Sequence, residues 1–475
     1  MKSIKLIIAL ALIATFSWSA KAIQDEKKWA EIYQIVDQIQ EPVFPDKTFN
    51  IVDFGAKADG TTLNTKAIDQ AIVACTEAGG GTVLVPAGTF LTGAIHLKNN
   101  VNLHVSEGAT LKFSTNPKDY LPLVQTRWEG NDVFNYSPLI YANGQNNIAI
   151  TGKGTVDGQG ASDNWWTWKG SSHYGWKEGM PSQLDEGRGR PALDKWESEE
   201  APLFERQAGD GFYLRPQFIS FIYCTSVKIE GIKITNSPFW VVHPILSKDI
   251  IFRGVHIESL GPNSDGFDPE SCKNVLVEDC IFDTGDDCIA IKSGRNSDGR
   301  KPNIPTENML IRNCKMLEGH GGVVIGSEIS AGARNIFAEN CEMSSPDLDR
   351  AIRLKTNAHR GGVTDGIYVR NIAVGQVKDA VIRINCMYDT KSEGIGDYIP
   401  MVRNVYISGI KADMTGKTPA KFGLRLEGID GENSIENIFI SDCNFNGVKK
   451  VAQISNVKNL RLEHVIINGE EIKAE

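Results

Sequence analysis

Apolar and polar residues alternate along most of this chain with the period of a strand, and the alternation recurs as one short motif. The motif opens on Asn or a stand-in and ends six positions later on a small apolar side chain. It reads NVLVEDC from Asn274, NMLIRNC from Asn308, NIFAENC from Asn335 and NIFISDC from Asn437. Divergent copies begin at Ser226, Asp249, Gly366, Asn404 and Asn459. The sixth positions are Cys280, Cys314, Cys341 and Cys443 in the first group, and Ile232, Val255, Ile372, Ile410 and Val465 in the second. Starts lie 22 to 38 residues apart, with no helical period between them. Repeats of that length built from short strands predict an all-β parallel β-helix, each coil stacking on the one before. The sixth position then forms an internal ladder, and stacked Asn side chains exchange hydrogen bonds between coils. Segments from Asn100 and Asn147 fit the same plan.

Three stretches depart from the strand period. Ala67, Ile68, Ala71, Ile72 and Cys75 recur at helical spacing between Thr65 and Thr76, which predicts a helix capping the open end of the first coil. Glu26 to Gln40 predicts a second, surface helix ended by Pro42. Residues 160–216 lose all rhythm and hold Trp165, Trp166, Trp168, Trp176 and Trp196. Solenoid insertions map to loops on one face, often the binding face. Flat rings suit sugar faces, so this region is expected to wall a cleft.

Composition narrows the picture. The net charge of −9 argues against a nucleic-acid partner, and an acidic ligand would need its cations concentrated locally. At the N-terminus, Lys2 and Lys5 precede an apolar run from Leu6 to Phe16 and an Ala20-Lys21-Ala22 end. That order predicts a signal peptide over residues 1–22 and an exported, periplasmic or secreted protein. Residues 23–475 are then expected as one domain, with no membrane span. Nine cysteines in an exported chain would suggest disulfides. The ladder positions instead read as small buried hydrophobes. Cys272 and Cys288 fall outside the ladder, and their pairing is left open by the sequence.

Four clusters carry chemistry: Asp265, Asp286-Asp287, His320 and Arg353-Leu354-Lys355. Taken singly, each reads as an ordinary solvated turn, loop or strand face. Against the repeat, Asp286 lies 12 residues after Asn274 and His320 lies 12 after Asn308, which stacks them on neighbouring coils. Asp265 and Arg353 fall out of that count by short insertions, so the four clusters are expected as one stripe of roughly 15 Å. Gly285 permits a bend that turns both Asp286 and Asp287 toward the cleft. Three carboxylates so close should leave one protonated, as a general acid requires.

The motifs Asn263-Ser264-Asp265, Gly285-Asp286-Asp287, Gly319-His320-Gly321 and Arg353-Leu354-Lys355 resemble the signatures of the polygalacturonases, glycoside hydrolase family 28. The opening FNIVDFGAKADG and the repeat also match, so the resemblance covers nearly the whole mature chain. Ser264 departs from the Thr usual in internally cutting members, and Cys288 lacks a partner cysteine near His320. The resemblance implies a single-stranded right-handed, pectin-lyase-like β-helix and an inverting hydrolase of an acidic polysaccharide, acting as a monomer without metal or cofactor. It implies Asp286 as general acid, Asp265 and Asp287 holding the water, and His320 tuning the acid. Arg353 and Lys355 would bind the uronate carboxylate, and Tyr388 would touch substrate, with Asn263 and Lys292 as further contacts. Arg127, in TRWEG, and His243, in SPFWVVH, are expected along the same cleft. Spacing alone leaves retention and inversion open. Release of galacturonate from chain ends is favoured over internal cutting. Rhamnogalacturonan or xylogalacturonan hydrolysis, a calcium-dependent lyase and a non-catalytic β-helix binding protein stand as alternatives.

Overall fold

The computed structural model describes residues 25–390, 394 and 396–473, so the expected signal peptide lies outside the described residues. The chain winds into a parallel β-helix, as the repeat predicts. A coil in the middle contributes strands Lys273–Glu278, Ile281–Thr284 and Ile289–Ile291. The next contributes Thr306–Arg312, Lys315–Met316 and Val323–Ile325, paired in parallel to the first.

All nine repeat starts fall in one register. The residues following them pair in the series Val227, Ile250, Val275, Met309, Ile336, Ile367, Val405, Ile438 and Leu460. The sixth positions form the internal ladder, each no more than 1% exposed. The structure adds a reason for the Asn that opens each motif. Every start, from Ser226 to Asn459, has a positive φ between 54° and 74°. Asn and Asp tolerate this left-handed conformation better than other side-chain-bearing residues, and Gly366 tolerates it without penalty. The Asn ladder forms as well: Asn308 Nδ2 donates to Asn274 Oδ1, and Asn335 Nδ2 to Asn308 Oδ1, each at 3.2 Å.

The predicted cap is a helix over Thr65–Glu77 that buries all five of its predicted core residues. The first helix, residues 25–37, lies across the outside of the large sheet. Trp29, Ile32, Val36 and Ile39 cover the outward column Ile251, Leu276, Leu310, Phe337 and Tyr368.

Two excursions leave the solenoid from equivalent places. A hairpin, Val124–Trp128 with Asn131–Asn135, precedes the third strand of its coil, Ile140–Asn143. The 160–216 insertion leaves the next coil after Thr155–Asp157 and returns at Ile219–Ile222. The same turn, between second and third strands, carries Asp286-Asp287 and His320 on later coils. The excursions therefore rise beside one end of the row of candidate residues.

All nine cysteines are buried and free, so Cys272 and Cys288 do not pair. Burial pushes the Cys272 and Cys386 thiols up to about 12. A thiol reagent is expected to find almost no reactive sulfur in the native protein and nine after unfolding in guanidinium without reductant. A lower final count would reveal a disulfide.

Candidate active site

The hydrogen-bonded register places Asp286 opposite His320, because Ile289 pairs with Val323. The expectation for this pair holds. His320 Nδ1 lies 2.8 Å from Asp286 Oδ1, and the His320 amide donates to the Asp286 carbonyl at 3.1 Å. The rest of the expected stripe needs correction. Phe267 pairs with Ile289, so Asp265 stands level with Asp287 and not with Asp286. Val324 pairs with Arg353, which puts the Arg353-Lys355 strand farther along the coil. The cations reach back laterally: Lys355 Nζ sits 2.7 Å from Asp287 Oδ2, and Arg353 Nη1 3.2 Å from Asp287 Oδ1.

Carboxylate oxygens of Asp265, Asp286 and Asp287 lie within 4.8 Å of one another. The bend at Gly285 brings the neighbouring aspartates together, but Asp287 is fully buried rather than turned to the cleft as expected. Glycines clear the space. A Cβ on Gly321 would lie 3.3 Å from Asp287 Oδ1 and closer still to Val324. The group is enclosed rather than exposed, with Asp265 3% and Asp287 0% accessible.

Burial penalises all three charges, and their neighbours then separate them. Asp265 is pushed well above the usual carboxylate range by burial, with the Asp286 and Asp268 charges adding to it and Lys292 opposing. Burial also opposes ionisation of Asp286, but His320, Lys355 and Arg353 outweigh it and hold that carboxyl low. Lys355 and Arg353 do the same for Asp287 against its burial. His320 rises to about 9, chiefly through the charge of Asp286 and their hydrogen bond. The expected raised carboxyl is therefore present among the three, but it is Asp265 and not Asp286.

A cavity of about 420 Å³ opens over this group. Its lining includes Asn263, Lys292, Tyr388 and Trp240, together with Arg350 and Glu328. Lys292 is held by Glu328 at 3.0 Å, Asp268 at 3.5 Å and Asp265 at 3.7 Å, with its ammonium 4.2 Å from the Trp240 ring centre. Tyr388 faces the two other cations, 5.5 Å from Arg353 and 5.1 Å from Lys355. Eight Lys and Arg residues line the cavity, which supplies the local concentration of cations that a net charge of −9 demands of a site for an acidic ligand.

Arg127 and His243 do not belong to this lining. Arg127 is 2% exposed and clamped between Asp132 at 2.7 Å and Glu270 at 3.1 Å. His243 is fully buried, 2.7 Å from the other Glu270 oxygen. Together they brace the floor beneath Trp240, whose ring meets His243 edge-on at 4.8 Å. Sequence reading placed them in the cleft because their motifs border it; a strand sends alternate side chains to opposite faces.

The insertion does wall the cavity, but not with its tryptophans. Trp165 is buried, Trp166 wedges against the Ser237 carbonyl, and Trp196 stacks on Phe212. What the insertion presents is charge: Lys169 and Arg190, facing Glu129 from the hairpin tip. These residues lie outside the repeat, so no register pointed to them. Glu328 and Asp268 escaped for a related reason, since neither sits in a recognisable cluster.

Comparison with known proteins follows from this geometry. The family model described as glycosyl hydrolases family 28 matches residues 195–465, and one described as rhamnogalacturonase A/epimerase, pectate lyase-like, matches residues 48–117. A probable polygalacturonase of Vitis vinifera is 31% identical over 341 residues, covering 69% of this chain and 61% of that protein. An exo-poly-alpha-D-galacturonosidase of Dickeya chrysanthemi is 29% identical over 408 residues, covering 79% and 64%. The chain thus spans less than two thirds of either relative's length. The crystal structure of a hyperthermoactive exopolygalacturonase from Thermotoga maritima superposes with a TM-score of 0.88 at 43% identity, covering 94% of this chain and 97% of that one.

Two outcomes follow from the placement of these groups. Arg127→Met strands Glu270 and should destabilise the fold by about 3–5 kcal/mol in denaturant titration, the usual result of breaking a buried pair. Any folded fraction should keep its KM, whereas a cleft contact would raise it. His320, with its folded pKa above the unfolded value of about 6.5, stabilises fully below that pH and loses its contribution as pH rises through about 9. The gap in Tm between wild type and His320→Gln should accordingly close between those values in calorimetry. A gap independent of pH would refute the ion pair with Asp286.

Proposed function

We infer the activity from one premise: the chain belongs to glycosyl hydrolases family 28. The reading is an exo-acting polygalacturonase that hydrolyses α-1,4-galacturonosyl linkages and releases galacturonate from chain ends. The observation that carries it is the cluster of three carboxyls within 4.8 Å, flanked by cations and overlooked by the insertion. Two relatives named for exo-acting enzymes support the exo reading.

The roles follow from charge and position. Asp286 is the general acid, since it lines the cavity and shares a proton with His320. In the free site that proton rests on the imidazole, so His320 is the store from which Asp286 is charged for transfer to the leaving oxygen. Asp287, ionised, takes the proton of the attacking water. Asp265, neutral, donates a hydrogen bond that holds the same water.

Arg353 and Lys355 are both paired with Asp287. An incoming uronate carboxylate competes for the same two cations. Each hydrogen bond it draws away from Asp287 raises the basicity of that carboxylate. Substrate binding and base strength are thereby coupled through shared donors, and Tyr388 packs beside both cations as the sugar arrives.

Carboxyl separations near 5–5.5 Å are general for retention and 6.5–9.5 Å for inversion. The 4.8 Å cluster lies nearer the first, so the inverting course rests on family membership. Export to the periplasm or beyond, by way of residues 1–22, suits a polymeric substrate.

Asp286→Asn should lower galacturonate release from polygalacturonate by about 10²–10⁴-fold with an unchanged circular dichroism spectrum. Substantial remaining activity would remove Asp286 as the acid. The wild type should release monomer from the first minutes, initially as the β-anomer by NMR. A ladder of oligomers would indicate internal cutting, and an initial α-anomer would indicate retention.

A further inference from the structure

The insertion contributes two cations to the cavity wall, Lys169 and Arg190, and Arg190 is paired with Glu129. Lys169 ends the short helix Trp165–Lys169 and lines the cavity with Asp265 and Asp286. Its Nζ donates to Asn263 Oδ1 at 2.8 Å. Among the described residues it forms no ion pair, whereas Lys292, Arg190, Arg295, Arg350, Arg353 and Lys355 each meet a carboxylate. Burial lowers its pKa from the ordinary lysine value, with Glu129 the main opposing charge. An ammonium has three N–H donors, and one acceptor leaves two for a ligand.

The oxygen that Lys169 contacts is itself held. Arg215 is completely buried, and its Nη2 donates to Asn263 Oδ1 at 2.9 Å and to Gln183 Oε1 at 3.1 Å. Its Nη1 binds the carbonyls of Pro238 and Pro262. This guanidinium ties the insertion, through Gln183, to the Asn263 turn two residues before Asp265. Lys169 is therefore anchored to the coil of Asp265, four coils before the strand that leads to Tyr388.

A sugar chain crossing the three aspartates places one residue on the Tyr388 side and one under the insertion. Arg353 and Lys355 serve the first. The second, enclosed by the excursions, is the chain end. We propose that Lys169 recognises the carboxylate of the terminal, non-reducing galacturonate and so makes a free uronic acid at the chain end a condition of cleavage. This rests on the exo-hydrolase reading and extends it from linkage to end chemistry.

The test uses trigalacturonate and the same trimer methyl-esterified at its non-reducing-end carboxyl, with kcat/KM measured for the full-length protein. The wild type should prefer the free acid. Lys169→Met should lose about 10- to 150-fold on the acid, the range for hydrogen bonds to charged groups, and its preference should fall to near unity. Lys169→Arg should retain most of the preference. Lys169→Gln, which keeps a donor to Asn263, makes the same comparison should the Met variant not fold. Equal losses on both substrates would make Lys169 a brace for Asn263 and overturn the proposal, as would a preference that survives in Lys169→Met or is missing from the wild type. Failure of the underlying reading looks different: a wild type that releases no galacturonate from the free trimer refutes exo-hydrolysis itself.

Discussion

Backbone hydrogen bonds between successive coils fix each residue's neighbour at roughly 4.8 Å, and that spacing does most of the work in this protein. A side chain on one coil can meet only what the next coil presents at the same register. Asp286 meets His320 because the strands on either side keep one register, and Asp265 stands level with Asp287 because the third strands pair again beyond a short insertion. The left-handed residue that opens every motif keeps the phase from coil to coil. Insertions are admitted only in turns, where they lengthen the path without moving the strands.

On that lattice, three chemically identical carboxyls acquire three different characters. Burial opposes the charge on all of them, although Asp286 still reaches the cavity. Asp287 is kept charged by two cations reaching in from a strand two coils away. Asp286 is kept charged chiefly by the imidazolium stacked upon it, with Lys355 and Arg353 adding to the effect. Asp265 has only Lys292 nearby, already divided among three acids, and takes up the proton. Function at this site is therefore a matter of partner allocation. The floor obeys the same logic, since Arg127 first, then His243 and Lys292, hold buried Glu270 low.

Much of this was legible in the sequence where it repeats. The coil starts, the internal ladder, the capping helix and the Asp286–His320 contact all followed from counting, because the repeat converts sequence distance into spatial distance. Legibility failed where counting stops. Lys169 and Arg190 lie in the insertion, and the tryptophans expected to line the cleft are spent on folding that insertion. Arg127 and His243 border the cleft in sequence but face inward. The protonation of Asp265 depended on which carboxylate the cations reached, which a register along one axis could not supply.

Arg215 has a wider consequence. With Trp166 and Lys169, it fastens the excursion to the solenoid by a buried fork, between two strands that each stack in register on their neighbouring coils. The row of carboxyls and His320 belongs to the repeat, whereas the wall belongs to a module clipped on beside it. Such a module can lengthen or shrink without moving the stacked strands that set the row. The shape of the cavity wall and the spacing of the row are, in this architecture, separately adjustable.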